Sequence, residues 1–297
     1  MKRYLTLFTA LLLSLLTSWP ASAAPEAVPL NMGFYLPAIR DANMTDLKVS
    51  LGVWAEEVAK PYNIKIRTIS YEDMDSMRRA LDRAEVNFIN APGMELAELF
   101  RPDELRQGYA RRHHGMDEGL VLVVAKNSAI QRFSDLRGKR VIRLSDDRLS
   151  NYFLETQCLK TAGQDCREFL ALSEEKRDIQ SVYSVFFGRA DAALVQISTL
   201  RIAEDLNPQV AQRLRVILDW KASALIFGMM TRNTEESHRT LILNSVREAL
   251  KTPRGRQLLE LFKTDYLEPV EADALKPYWA LLREYNVLHK ASLARKK

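Results

Sequence analysis

The chain has 297 residues, 47% hydrophobic and 27% charged, with a formal charge of +5 and two cysteines. That length carries one large domain or two lobes with their own cores, and the apolar content excludes a disordered chain. The charge, spread over 43 bases and 38 acids, is a mild positive balance that suits small anions and leaves no nucleic-acid footprint.

Lys2 and Arg3 precede an apolar run from Tyr4 to Leu16, which Trp19-Pro20 breaks before the small-residue pattern Ala21-Ser22-Ala23. This pattern predicts a cleaved signal peptide over residues 1–23. The run is too short to span a bilayer, and no Cys follows it to take a lipid. The mature protein is expected in the periplasm.

Leu30–Tyr35 reads as a strand, and Leu47, Leu51, Trp54 and Val58 recur at helical spacing. Ile64–Ile69 alternates as a half-exposed strand does. Met74, Met77, Leu81 and Ala84 mark a helix, and Val86–Ile89 a short strand. The turn Asn90-Ala91-Pro92-Gly93 and a helix through Phe100 follow. A second run opens with strand Gly119–Val124, then the polar linker Lys126–Asp135 and strand Lys139–Leu144. Helix Tyr152–Thr161, a strand near Phe169–Leu172 and a helix carrying Ile179, Val182 and Phe186 come next. Ala190–Val195, Leu214–Leu218 and Ala224–Met230 read as strands, and helices over 236–251, 256–262 and 272–288 finish the chain. Two βαβα runs predict an α/β fold of two lobes, each a mostly parallel sheet flanked by helices, with a ligand cleft between them. The expected division is 24–118 for the first part of lobe 1, 119–219 for lobe 2, and 220–297 for the return to lobe 1 and the C-terminal helices.

Ligands of open α/β sheets sit beyond the carboxyl ends of the strands. Here those ends carry Tyr35, Ser70-Tyr71, Asn90-Ala91-Pro92, Ser145–Asn151 and Gln196, all suited to a small polar solute. The corner Ser145-Asp146-Asp147-Arg148-Leu149-Ser150-Asn151 precedes a helix whose free N–H groups would favour an anion; as an ordinary cap it would give helix stability alone. Cys158 and Cys166 flank a helix end and its Gly163 turn, and in an exported chain predict a structural disulfide. Arg111-Arg112-His113-His114 and Arg137-Gly138-Lys139-Arg140 read as solvated surface. Neighbouring histidines on a strand face opposite ways, so His113 and His114 are expected as surface or hinge residues rather than one shared metal site. No HExxH, GxSxG or phosphate loop is present, and no cofactor is expected.

Three stretches taken in order resemble the phosphate/phosphonate-type periplasmic solute-binding proteins of ABC importers. They are YEDMDSMRRALDRAEVNFINAP (71–92), VLVVAKNSAIQRFSDLRGKRVIRLSDDRLSNYFLETQCLKTAGQD (121–165) and SVYSVFFGRADAALVQIS (181–198). The resemblance implies a type II binding-protein fold whose lobes close on the ligand. It implies Tyr71 as the aromatic that closes on that ligand, and Ser150, with Asn151 beside it, as donors at an anion-binding helix start. Tyr35, Asn90 and Gln196 complete the expected ligand set. The departures are Leu149-Ser150-Asn151 where the family clusters hydroxyls, Asn87 where it carries Asp, and Asp178 where a carboxylate would repel a phosphonate yet accept from an amine.

The function expected is capture of a small solute, an oxyanion by this resemblance, by a monomer that delivers it to an ABC permease. A membrane sensor reading the same two-lobed domain is the alternative partner, and an enzyme on this fold the least supported.

Overall fold

The computed structural model describes residues 28–38, 45, 48–53, 60–113, 118–222, 224–261 and 264–295. The predicted signal peptide, His114 and much of the predicted helix through Trp54 and Val58 lie outside them.

Two sheets organise the chain. The first has six strands: β1 (Val28–Tyr35), β2 (Ile64–Tyr71), β3 (Phe88–Pro92), β4 (Leu105–Arg112), β10 (Ile226–Thr231) and β11 (Tyr266–Val270), in the order β11-β4-β10-β3-β1-β2. The second holds β5 (Glu118–Ala125), β6 (Arg140–Leu144), β7 (Ala171–Glu175), β8 (Ala192–Gln196) and β9 (Leu214–Ala222), in the order β7-β6-β8-β5-β9. The chain passes between sheets after β4 and returns after β9.

In each sheet the alternating βα pattern produces parallel neighbours on one side only: β1 with β2 and β3, and β6 with β7 and β8. The other side is antiparallel, through β10, β4 and β11 in the first sheet and β5 and β9 in the second. The periodicity leaves β4 and β11 unassigned. Arg111 and Arg112, expected on solvated surface, lie in β4. Arg112 pairs with Glu268 of β11 at 2.6 Å, and Arg111 is part-buried beside Glu118. Asn90–Pro92, expected as a turn, continues β3.

Helices cover the sheets where their apolar positions recur. On α1 (Met74–Asp82), Met74, Met77, Ala80 and Leu81 are buried, and Asp73 caps the first turn by accepting from Ser76 N at 2.7 Å. Asn87, the departure from the family's Asp, ties strands together: its Oδ1 accepts from Asn31 N and its Nδ2 donates to Pro29 O, both at 2.8 Å.

Helix α2 (Gly93–Leu99) follows β3, and α3 (Arg148–Ala162) follows β6. Helix α3 stops at Gly163, whose φ of 65° is open to glycine at little cost. After the short α4 (Cys166–Phe169), α5 (Asp178–Phe186) packs below β8, and α6 (Ile197–Leu206) and α7 (Gln209–Arg213) lead to β9. Helices α8 (Glu236–Lys251), α9 (Pro253–Leu261) and α10 (Lys276–Arg295) end the chain. The last packs against both α2 and α3. Ser292 Oγ donates to Gly163 O at 3.0 Å, Lys160 pairs with Glu284 at 2.7 Å, and Tyr285 meets Tyr152 edge-on at 4.9 Å.

Cys158 and Cys166 are bridged, as their placement predicts, and both are fully buried. The bridge spans eight positions, so chain-entropy reasoning assigns it about 2.5 kcal/mol. The double Cys158→Ala/Cys166→Ala variant is therefore expected to melt roughly 5–10 °C lower, a gap that calorimetry of the oxidised protein against the variant measures.

Candidate ligand cleft

The corner after β6 starts its helix earlier than the sequence suggests. Asp146 takes a positive φ of 52°, which Asp tolerates better than most residues, and Asp147 then becomes the N-cap. Its carboxylate accepts from Ser150 N at 3.0 Å and from the Ser150 hydroxyl. Ser150 is 1% exposed and sits inside the first turn, with both donors directed at Asp147. Asn151 follows it on the exposed side.

The second helix start in this sheet is arranged likewise. Gln196 is the N-cap of α6, and Asp178 accepts from Gln196 N at 2.9 Å and from Thr199 Oγ1 at 3.2 Å. Internal carboxylates thus occupy the positive ends of α3 and α6, where each is stabilising.

Facing α3 is α2, with sequence GMELAEL. Glu95 and Glu98 stand three residues apart and share a helix face, as do Arg148 and Tyr152 on α3. The two faces meet. Glu98 accepts from the Arg148 guanidinium and, at 2.9 Å, from Tyr152 Oη. Burial, then the Glu98 charge, raises the Tyr152 pKa. Glu95 is only 7% exposed. Burial pushes its carboxyl up to about 7; its own backbone N–H opposes the shift, and Asp147 and Glu98 add to it while Arg148 lowers it.

Tyr278 of α10 packs beneath the start of α2. Its hydroxyl donates to Ala224 O, and its ring meets Trp220 at 5.1 Å and Phe227 at 5.9 Å, edge-on. A Cβ at Gly93 would stand 2.5 Å from Tyr278 Cζ, so only glycine lets α2 begin there. Glu118, 8% exposed, lies at the start of β5; burial raises its pKa and Arg111 offsets part of that.

Of the residues singled out from sequence, Tyr35 lies in the field of Arg148, together with Glu95 and Glu98. Ser150 and Asn151 are at the start of α3, and Gln196 is at the start of α6. Asn90 is part-buried in β3, its Nδ2 3.3 Å from where a Cβ would stand on Gly228. Tyr71 ends β2 directly opposite Tyr35 of β1; its Cε2 lies 3.1 Å from a Cβ built on Gly33, and burial, then the Glu85 charge, raises its pKa. His113 lies 3.8 Å from Asp265, and burial lowers its pKa. Glu95, Glu98, Asp147, Arg148, Tyr152 and Tyr278 are not predicted as a set from sequence. The only signal for them was a pair of acids at i, i+3 in an otherwise apolar turn. No cluster of three or more His, Cys, Asp or Glu among the described residues could hold a metal, and no described helix is long and apolar enough to cross a membrane.

The fold has several solved neighbours. XAC2383 from Xanthomonas citri, bound to ATP, superposes with a TM-score of 0.64 at 13% identity, over 89% of this chain and 99% of that one. PA3383 from Pseudomonas aeruginosa, a binding protein component of an ABC phosphonate transporter, gives 0.58 at 12% identity over 90% and 89%. PhnD1 from Prochlorococcus marinus, in complex with methylphosphonate, gives 0.57 at 14% identity over 87% and 98%. No curated protein matches in sequence. The family model described as "ABC transporter, phosphonate, periplasmic substrate-binding protein" matches residues 39–275. The two-sheet α/β architecture and that match, which covers most of the chain, agree: the protein belongs to the periplasmic phosphonate-type substrate-binding proteins of ABC transporters, which bind solutes rather than transform them.

Proposed function

We propose that the mature protein, exported by its cleaved signal peptide, acts as a monomer that captures one small polar solute between its lobes and delivers it to an ABC permease. The lobes are divided at the two chain crossings, near residues 118 and 220. The observation that carries this reading is the meeting of α2 with α3. Elements that follow strands of different sheets join there through Glu98, Arg148 and Tyr152, the kind of contact that a hinge between lobes makes and breaks. The family description supports an oxyanion as the solute, with Ser150, Asn151, Tyr35, Asn90, Gln196 and Tyr71 around it. The internal carboxylates at the starts of α3 and α6 oppose that choice of ligand.

Native mass spectrometry of protein taken from periplasmic extract tests the reading. The expected spectrum shows a monomer lacking residues 1–23, with one small-molecule adduct that denaturation releases. A chain that retains those residues, or that carries no adduct from any extract, opposes it.

A further inference from the structure

We infer that the group this cleft recognises on its ligand is cationic, a protonated amine or guanidinium, and that Glu95 is the residue that selects it. The inference rests on the solute-binding reading above and narrows its ligand class.

Three observations support it. The first is the charge balance where α2 meets α3. Glu95, Glu98 and Asp147 bring three carboxylates, and the cation acting among them is Arg148. Arg148 is committed to Glu98, so Glu95 has no ion-pair partner among the described residues.

The second is Glu95 itself. It is more than nine-tenths buried, it takes a hydrogen bond from its own backbone N–H and from no other described residue, and it faces the start of α3. A buried carboxylate without a counter-charge is costly, and a fold keeps such a group where something else pairs with it. An ammonium placed between Glu95 and Asp147 would complete the pairing through charge-assisted hydrogen bonds.

The third is the loss of the anion alternative. The α3 start receives Asp147 and the α6 start receives Asp178, so an incoming oxyanion would meet carboxylates where it needs donors. The groups facing Glu95 are Asp147 and Arg148 from α3, Glu98 one turn along α2, and Tyr278 from α10, whose hydroxyl is engaged by Ala224 O. None of these supplies a second cation.

Titration calorimetry and thermal shift on ligand-stripped mature protein test this, with two probe sets at pH 6 and pH 8. The first set is ethanolamine, putrescine and arginine; the second is phosphate, methylphosphonate and sulfate. A member of the first set is expected to bind. Its affinity should rise roughly tenfold from pH 6 to pH 8 as Glu95 ionises about its pKa of about 7. Binding should fall at least a hundredfold in Glu95→Gln, whose fold is checked by circular dichroism and by its melting temperature. Oxyanion binding that survives Glu95→Gln, without amine binding, overturns the inference and leaves the solute-binding reading standing. Amine binding unchanged in Glu95→Gln overturns the role of Glu95. Silence from both sets, together with an adduct-free native spectrum, overturns inference and reading alike.

Discussion

At pH 8 the ligand-free Glu95→Gln protein is expected to be more stable than the natural chain by about 3 kcal/mol, a difference that vanishes below about pH 4. The sign follows from linkage. The folded protein holds the Glu95 proton up to about pH 7, whereas the unfolded chain releases it near 4.5. Between those values the unfolded state binds fewer protons, so stability falls as pH rises through the window and stays lower above it. A difference of about 2.5 pKa units corresponds to about 3 kcal/mol, or roughly 6–12 °C in melting temperature for a chain of this size. Gln keeps the shape and removes the charge. Urea melts of both proteins at pH 4 and pH 8 measure the effect, and equal stabilities at pH 8 would contradict the burial argument. A side chain that lowers stability in the empty protein is what a binding residue looks like when its partner is missing.

The opposite sign is expected at Glu104. This carboxylate is 1% exposed and receives Arg78 at 2.6 and 2.8 Å, Arg232, and the backbone N–H of Arg101 at 2.9 Å. The Arg78 hydrogen bonds lead the causes that hold its pKa down at about 2. Glu104→Ala removes the carboxylate shared by Arg78, Arg232 and Arg101, of which Arg78 and Arg232 keep Asp82, and is expected to cost about 3 kcal/mol, roughly 6–12 °C in melting temperature. Because the folded pKa lies below the unfolded one, this stabilisation is full above about pH 4.5 and is lost as pH falls towards 2. The gap between natural chain and variant should therefore narrow on acidification, which melts at pH 7 and pH 3 would show.

Sequence periodicity carried the parallel half of each sheet well, because β1 to β3 and β6 to β8 each precede a helix or turn of clear pattern. It did not carry β4 or β11. The end of LRQGYARR reads as part of a charged surface run, whereas Arg112 pairs with Glu268 of β11 and Arg111 is part-buried beside Glu118. Periodicity leaves YLEPV unassigned: its Pro disfavours a ladder, a penalty an edge strand escapes. The Cys158–Cys166 bridge was legible from spacing and compartment alone. The cleft was not. Three capping residues stand together before α3, and only the positive φ of Asp146 selects Asp147, which turns Ser150 inward. Glu95 was hidden for a similar reason: an acid in a helical pattern is read as a solvent face, and its burial depends on α3 and α10, far along the chain.

The strand order also dictates when each half of the molecule is completed. The second sheet draws every strand from one unbroken stretch, 118–222, whereas the first needs β10 between β3 and β4, and β11 at its edge. A chain emerging N-terminus first therefore finishes its middle before its beginning, since β1 to β4 wait for strands made later. Helix α10 follows every described strand of both sheets in sequence and seats Tyr278 against Gly93. The start of α2, made early in the chain, is therefore packed only once this late helix has formed.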